Sequence, residues 1–218
     1  MSPIATTSPP VVPREETSRN LSPRRSGPRM RRPLPPSARV AWAWLQGLPW
    51  RRRRLRRIFR MLDGRTPHSG TLVDIGGGVG VGTEEAVRSA PSGTYARCVV
   101  LESQRGMLAR TVLQHGRPAS YRPVRGSGDG LPFADGSADV LVSLGVLCCM
   151  EESDVPRAVT ELGRVLRPGG YCVLGVPRGW ASFIEPMFRS AGFREVGRLR
   201  PGCALYQRPL SPETTNLR

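Results

Sequence analysis

From Thr71 onward, short apolar runs alternate with segments whose apolar residues recur every three or four positions. Thr71–Ile75, Ala96–Leu101, Tyr121–Val124, Val140–Leu144 and Tyr171–Val176 have the length and β-branched content of strands, the third interrupted by Pro123. Thr83–Ala90, Gly106–Gln114, Ser153–Leu166 and Ala181–Ala191 follow the helical period. The third of these helices is the clearest, with Val155, Ala158, Val159, Leu162, Val165 and Leu166 on one face. Arg167-Pro168-Gly169-Gly170 then supplies the proline and glycines that stop a helix. Glu195–Leu199 and Cys203–Gln207 pair as a hairpin across Pro201-Gly202. Alternating strands and helices predict an α/β domain at 71–209: a mostly parallel sheet of seven strands ending in an antiparallel hairpin, with a short tail at 210–218.

The N-terminal third has a different pattern. Nine of the 22 prolines fall in residues 1–36 among Ser, Thr and Arg, so that segment is expected to stay disordered. Residues 37–70 are read as a basic helical segment and linker. Ser37–Leu62 looks helical, as two helices or as one kinked at Pro49, with Leu55, Ile58, Phe59 and Leu62 on one face and Arg51–Arg54, Arg56, Arg57 and Arg60 around the rest. Either the apolar stripe packs on the following domain and the arginines are solvated, or the arginines also meet an anionic partner such as RNA or an acidic lipid surface. Residues 1–70 carry 16 Arg against three acids, and the whole chain is formally +16. All 33 basic residues are Arg, which fits a coding bias and weakens charge alone as evidence for nucleic acid.

Five cysteines without CxxC spacing point to a reducing compartment, with Cys98 and Cys172 as small hydrophobes inside strands. No run approaches the ~18 apolar residues of a membrane span, and the first 36 residues lack a secretory apolar region. The expected location is cytoplasmic. In a eukaryote the Arg- and Ser-rich start would instead resemble a mitochondrial or plastid transit peptide.

The most informative stretch is Leu72–Gly82, in which a strand ends in an acid and glycines turn the chain into a helix. Such a loop takes backbone angles closed to other residues and lets a ligand touch the main chain. Neither G-x-G-x-x-G/A nor a P-loop fits, since the expected third glycine falls on Val81, Thr83 or Glu85 and the chain has no Lys. D-x-G-x-G-x-G fits, at Asp74, Gly76, Gly78 and Gly80. The second strand ends at Glu102, 22 residues past Gly80, where a carboxylate can accept both ribose hydroxyls of an adenosine cofactor. Gly128-Asp129-Gly130-Leu131-Pro132-Phe133 is the third station and offers an acid and backbone amides.

On VDIGGGVG (73–80), LESQRGML (101–108), GDGLPFADGSADVLVS (128–143), ELGRVLRPGG (161–170) and AGFREV (191–196), the chain resembles the class I S-adenosylmethionine-dependent methyltransferases. It is most similar to the small-molecule group that includes ubiquinone/menaquinone-biosynthesis methyltransferases. The resemblance implies a Rossmann-like sheet with helices on both faces and S-adenosyl-L-methionine as cofactor. It assigns Asp74, Gly76, Gly78 and Gly80 to the methionine end and Glu102 to the ribose. Ser103 and Met107 would border the adenine, Asp129 would accept from its amino group with Gly130 and Leu131 beside it, and Leu144 would stand behind the sulfonium. Met107 and Leu144 are also plausible as plain core.

The resemblance implies in-line transfer of the methyl group, for which alignment of the reactants can supply ~7–11 kcal/mol of the barrier. No catalytic residue and no metal site is assigned. Strand four is followed by Ser143–Met150, without the histidine that many relatives carry there and without the motifs of nucleic-acid base or catechol-type methyltransferases. Cys148 or Cys149 as nucleophile has no adjacent base. Trp42, Trp44 and Trp50 either line an acceptor pocket or are core. The leading expectation is a small, apolar or aromatic acceptor. The alternatives are an RNA or protein acceptor docked through the Arg-rich arm, and a catalytically silent binding or assembly factor.

Overall fold

The computed structural model describes residues 49–115 and 121–210. The disorder expected for 1–36, the helix expected before Pro49, the tail at 211–218, and Trp42 and Trp44 lie outside the described residues. Helix α1 (Pro49–Phe59) runs into a 3-10 turn at Arg60–Leu62. Then follow β1 (Gly70–Ile75), α2 (Val81–Ser89), β2 (Tyr95–Glu102), α3 (Arg105–His115), β3 (Tyr121–Arg125) and β4 (Ala138–Leu144). A 3-10 turn at Leu147–Cys149 leads to α4 (Val155–Val165), β5 (Leu166–Gly175), α5 (Arg178–Ser190), β6 (Arg194–Arg200) and β7 (Cys203–Gln207).

One seven-stranded sheet has the order β3-β2-β1-β4-β5-β7-β6. Strands β1 to β5 pair in parallel, and β7 lies antiparallel to both β5 and β6. The chain winds outward from β1 through β2 to β3, then returns to set β4 against the other side of β1. That reversal opens a crevice beyond the carboxyl ends of β1 and β4, the position where α/β sheets bind ligands.

Both sheet faces are covered, which is why the central strands read as unbroken apolar runs. Alternate strand residues serve opposite faces. Val73, Ile75, Leu141, Cys172 and Leu174 pack with Val155, Val159 and Leu162 of α4 and with Ile184 and Phe188 of α5. Leu72, Cys98, Val140, Val142 and Val173 pack with Ile58 and Phe59 of α1, Leu62, and Ala86 of α2. The apolar stripe expected of the basic segment is therefore docked on the sheet.

Most boundaries shift by one to three residues from the sequence reading, and two of the differences have a clear physical cause. Helix α2 begins at Val81 rather than Thr83, because Gly80 caps it in the left-handed region at φ 80°. Strand β5 begins at Leu166, directly after α4, and takes in the Arg167–Gly170 segment expected to lie outside it. Ala138 pairs with Leu166 and Val140 with Tyr171, so Asp139 alone faces four residues of β5 across an irregularity in the ladder. Arg167 Nε donates to Asp139 Oδ1 at 2.5 Å, and Asp139 Oδ2 accepts from the Thr71 amide at 2.7 Å, fastening the bulge to the start of β1.

Candidate functional site

The crevice beyond β1 and β4 holds a cavity of about 210 Å³. Asp74 stands near the end of β1, only 2% exposed. Its Oδ2 accepts from the Thr83 amide at 3.0 Å and from the Thr83 hydroxyl at 2.8 Å. The start of α2 is thereby tied to the strand that precedes the loop. Burial, with a smaller contribution from the negative charge of Glu102, pushes the Asp74 carboxyl up from 3.8 to about 7 despite the two hydrogen bonds.

The glycine loop is shaped around this carboxylate. A Cβ at Gly77 or at Gly82 would come within 2.9 Å of Asp74 Oδ2, and one at Gly76 within 2.5 Å of Val146. Gly76 and Gly78 have φ of 61° and 58°, which side-chain-bearing residues rarely adopt.

At the end of β2, Glu102 is 7% exposed and binds backbone through both oxygens. Oε2 accepts from the Gly78 amide at 3.2 Å. Oε1 accepts from the Gln104 amide at 2.9 Å and the Ser103 hydroxyl at 3.3 Å. Two acids from adjacent strands thus border one cavity, beside exposed Ser103 and buried Met107.

Asp74, Gly76, Gly78, Glu102, Ser103, Met107 and Leu144 all line the cavity. Gly80 does not line it; its part is to cap α2. Asp129, Gly130 and Leu131 also fall outside the lining, which takes Gly126, Ser127 and Gly128 instead. The physical reason is that the 127–131 turn is bound elsewhere. Arg157 Nη2 reaches Asp129 Oδ2 at 2.6 Å, Ser127 also bonds the Asp129 carboxylate, and the Leu131 amide donates to Glu161 at 2.8 Å.

Other lining residues escape sequence reasoning. Leu55 reaches the cavity from α1, and Val146, Cys149 and Met150 enter from the turn after β4. The departure from the family pattern at Ser143–Met150 marked that turn, but nothing local marked Leu55. Cys149 is exposed there, whereas the neighbouring Cys148 thiol is pushed far up by its hydrogen bond to Cys149 and by burial. Such a group resists forming the thiolate that nucleophilic catalysis needs. Cys98 and Cys172 are buried and pushed up to about 11 and about 12, as suits small core hydrophobes.

The arginines of this segment include a role that the sequence reading did not foresee, pairing with acids of the same chain. Arg52 and Arg56 bind Glu84 and Glu85 of α2, while Arg53, Arg57 and Arg60 are exposed. Among the described residues no helix is long and apolar enough to cross a membrane.

The donor set suits an adenosyl cofactor with a cationic sulfonium. Glycine backbone permits close approach, Glu102 is a buried acceptor at the end of β2, and Asp74 is a buried acid in the same wall.

A family model described as a methyltransferase domain matches residues 73–174, from β1 into β5. A demethylmenaquinone methyltransferase of Corynebacterium glutamicum is 33% identical over 134 residues, covering 61% of this chain and 51% of that protein. A protein of Mycolicibacterium gilvum described as an uncharacterized methyltransferase is 37% identical over 119 residues, covering 54% of this chain and 43% of its own length. The chain thus spans about half the length of the curated relatives it matches. The solved N-methyltransferase NodS from Bradyrhizobium japonicum WM9, in complex with S-adenosyl-L-homocysteine, shares the fold. Its TM-score is 0.61 at 17% identity, covering 76% of this chain and 91% of NodS.

Proposed function

We propose that this chain, a class I S-adenosylmethionine-dependent methyltransferase by its domain at 73–174, methylates a small, apolar or aromatic metabolite. The observation that carries this reading is the single cavity in which Asp74, the glycine loop and Glu102 meet at the sheet's topological switch point. S-adenosylmethionine supplies a methyl group on a cationic sulfur, ready for displacement. Glu102 holds the ribose hydroxyls, and the open backbone of Gly76–Gly78 lets the methionine end approach closely. Asp74, drawn into its ionised form by a cationic neighbour, balances that charge inside the protein. Ser103 and Met107 flank the base.

The acceptor side supports an apolar substrate. Leu144, Val146, Cys149 and Met150 form that wall and carry no ordinary base. The residues there can exclude water and align an acceptor, and a nucleophile that needs early deprotonation must bring its own acidity. The similarity to a demethylmenaquinone methyltransferase supports an aromatic ring as the acceptor class. The test is incubation with S-adenosylmethionine and a panel of quinols, phenols and aliphatic acids, read by mass spectrometry. One methylated product in the aromatic arm, formed with equimolar S-adenosylhomocysteine, is expected. Turnover only on RNA or protein would overturn the small-molecule reading.

A further inference from the structure

Glu85 of α2 has no exposed side-chain surface, and a buried carboxylate is costly unless it is paired. Its partners come from α1. Arg52 Nη1 donates to Oε1 at 2.7 Å and Arg56 Nε to Oε2 at 2.7 Å, while Arg52 Nη2 also reaches Glu84 at 3.1 Å. Burial pushes Glu85 up, but the hydrogen bonds and charges of Arg56 and Arg52 outweigh it and hold the carboxyl below its usual range.

Helix α1 has little reason to be helical alone. Six of its eleven residues are Arg, and Arg52/Arg56 and Arg53/Arg57 set like charges four apart. Its order therefore depends on docking, through the Ile58 and Phe59 stripe and through Glu84 and Glu85. Between the two pairing arginines sits Leu55, which lines the cavity and packs on Val79, Val81 and Met107. Glu85 stands on the first turns of the helix that the glycine loop enters, so one element carries both the loop and the anchor for the opposite wall.

We propose that Arg52, Arg56 and Glu85 form a latch that holds α1 down as a wall of the cofactor cavity, so that α1 docking and cofactor binding stabilise each other. The three are positioning residues acting through Leu55, and the inference rests on the cavity being the cofactor's. Coupling of this kind is reciprocal: what the latch adds to cofactor affinity, the cofactor adds to α1 docking.

The experiment uses the full chain and S-adenosylhomocysteine as the probe. Calorimetric titration is run on the unmutated protein and on Glu85→Gln, Arg56→Gln and Leu55→Ala, with Arg53→Gln and Arg57→Gln as exposed-face controls. Each is checked for folding by circular dichroism at the titration temperature. Trypsin cleavage after Arg53 and Arg57 is followed by mass spectrometry with and without the ligand, since cleavage within a helix requires local opening. The expected result is a Kd raised fivefold or more in Arg56→Gln, Glu85→Gln and Leu55→Ala, and unchanged in the controls. Ligand is expected to slow cleavage at least fivefold in the unmutated protein and to lose that effect in Arg56→Gln. A lowered melting temperature with unaltered Kd in folded Arg56→Gln, or ligand-independent cleavage, would overturn the latch while leaving the cofactor site intact. No binding by the unmutated protein would overturn both.

Discussion

Asp74 carries an unusual charge state for its position. Its carboxyl titrates near 7 because burial, and secondarily Glu102, disfavour the anion, while Thr83 donates two hydrogen bonds to one oxygen. Between its ordinary value of 3.8 and about 7, the folded protein keeps a proton that the unfolded chain has released. This group's contribution to stability therefore falls as pH rises through that window. Asp74→Asn retains an oxygen to accept from Thr83 and removes the titration. Denaturant melts at pH 4.5, 6 and 7.5 should show the unmutated protein losing stability relative to the variant at each step. A constant difference would mean that Asp74 is ionised throughout. In the same window, affinity for cationic S-adenosylmethionine should rise with pH in the unmutated protein and stay flat in Asp74→Asn.

At the level of elements, the loop after β3 makes its own turns and is also held by α4. Arg164 donates to the Leu131 carbonyl at 3.0 Å, the Phe133 carbonyl at 2.8 Å and Asp135 at 2.7 Å, and Glu161 takes the Leu131 amide. Arg164→Gln should speed hydrogen exchange of the 126–133 amides and raise the cofactor Kd several-fold, because Gly126, Ser127 and Gly128 line the cavity. Unchanged exchange would show that the loop holds itself. This tertiary anchoring also explains what the sequence left illegible. The alternation of strands and helices, the glycine loop and Glu102 could be read because they rest on local patterns and motifs at short intervals. Asp129 falls outside the cavity lining because Ser127 and Arg157 hold its carboxylate, and Arg157, 28 residues away in sequence, is beyond the reach of a local motif. Leu55 could not be found because it reaches the cavity only after α1 docks across the sheet. Gly77 and Gly82 lay in plain view within the loop, but their need appears only once Asp74 Oδ2 is seen between them.

Across the molecule, the parallel winding that reverses between β1 and β4 sets where a ligand can enter, and the residues gathered there set what it can be. The helical layer on one face, α4 and α5, packs the core. Part of the other layer, α1 and α2, both packs the core and borders the cavity. The methyltransferase reading depends on one claim, that this cavity holds an adenosyl cofactor through Glu102. The direct measurement is calorimetric titration with S-adenosylhomocysteine of the unmutated protein beside Glu102→Ala. One-to-one binding in the micromolar range is predicted, weakened ten- to hundredfold in the variant. That loss is about 1.5–3 kcal/mol, the worth of hydrogen bonds to a charged acceptor. Equal affinity in the two proteins, or no binding in either, would contradict the account.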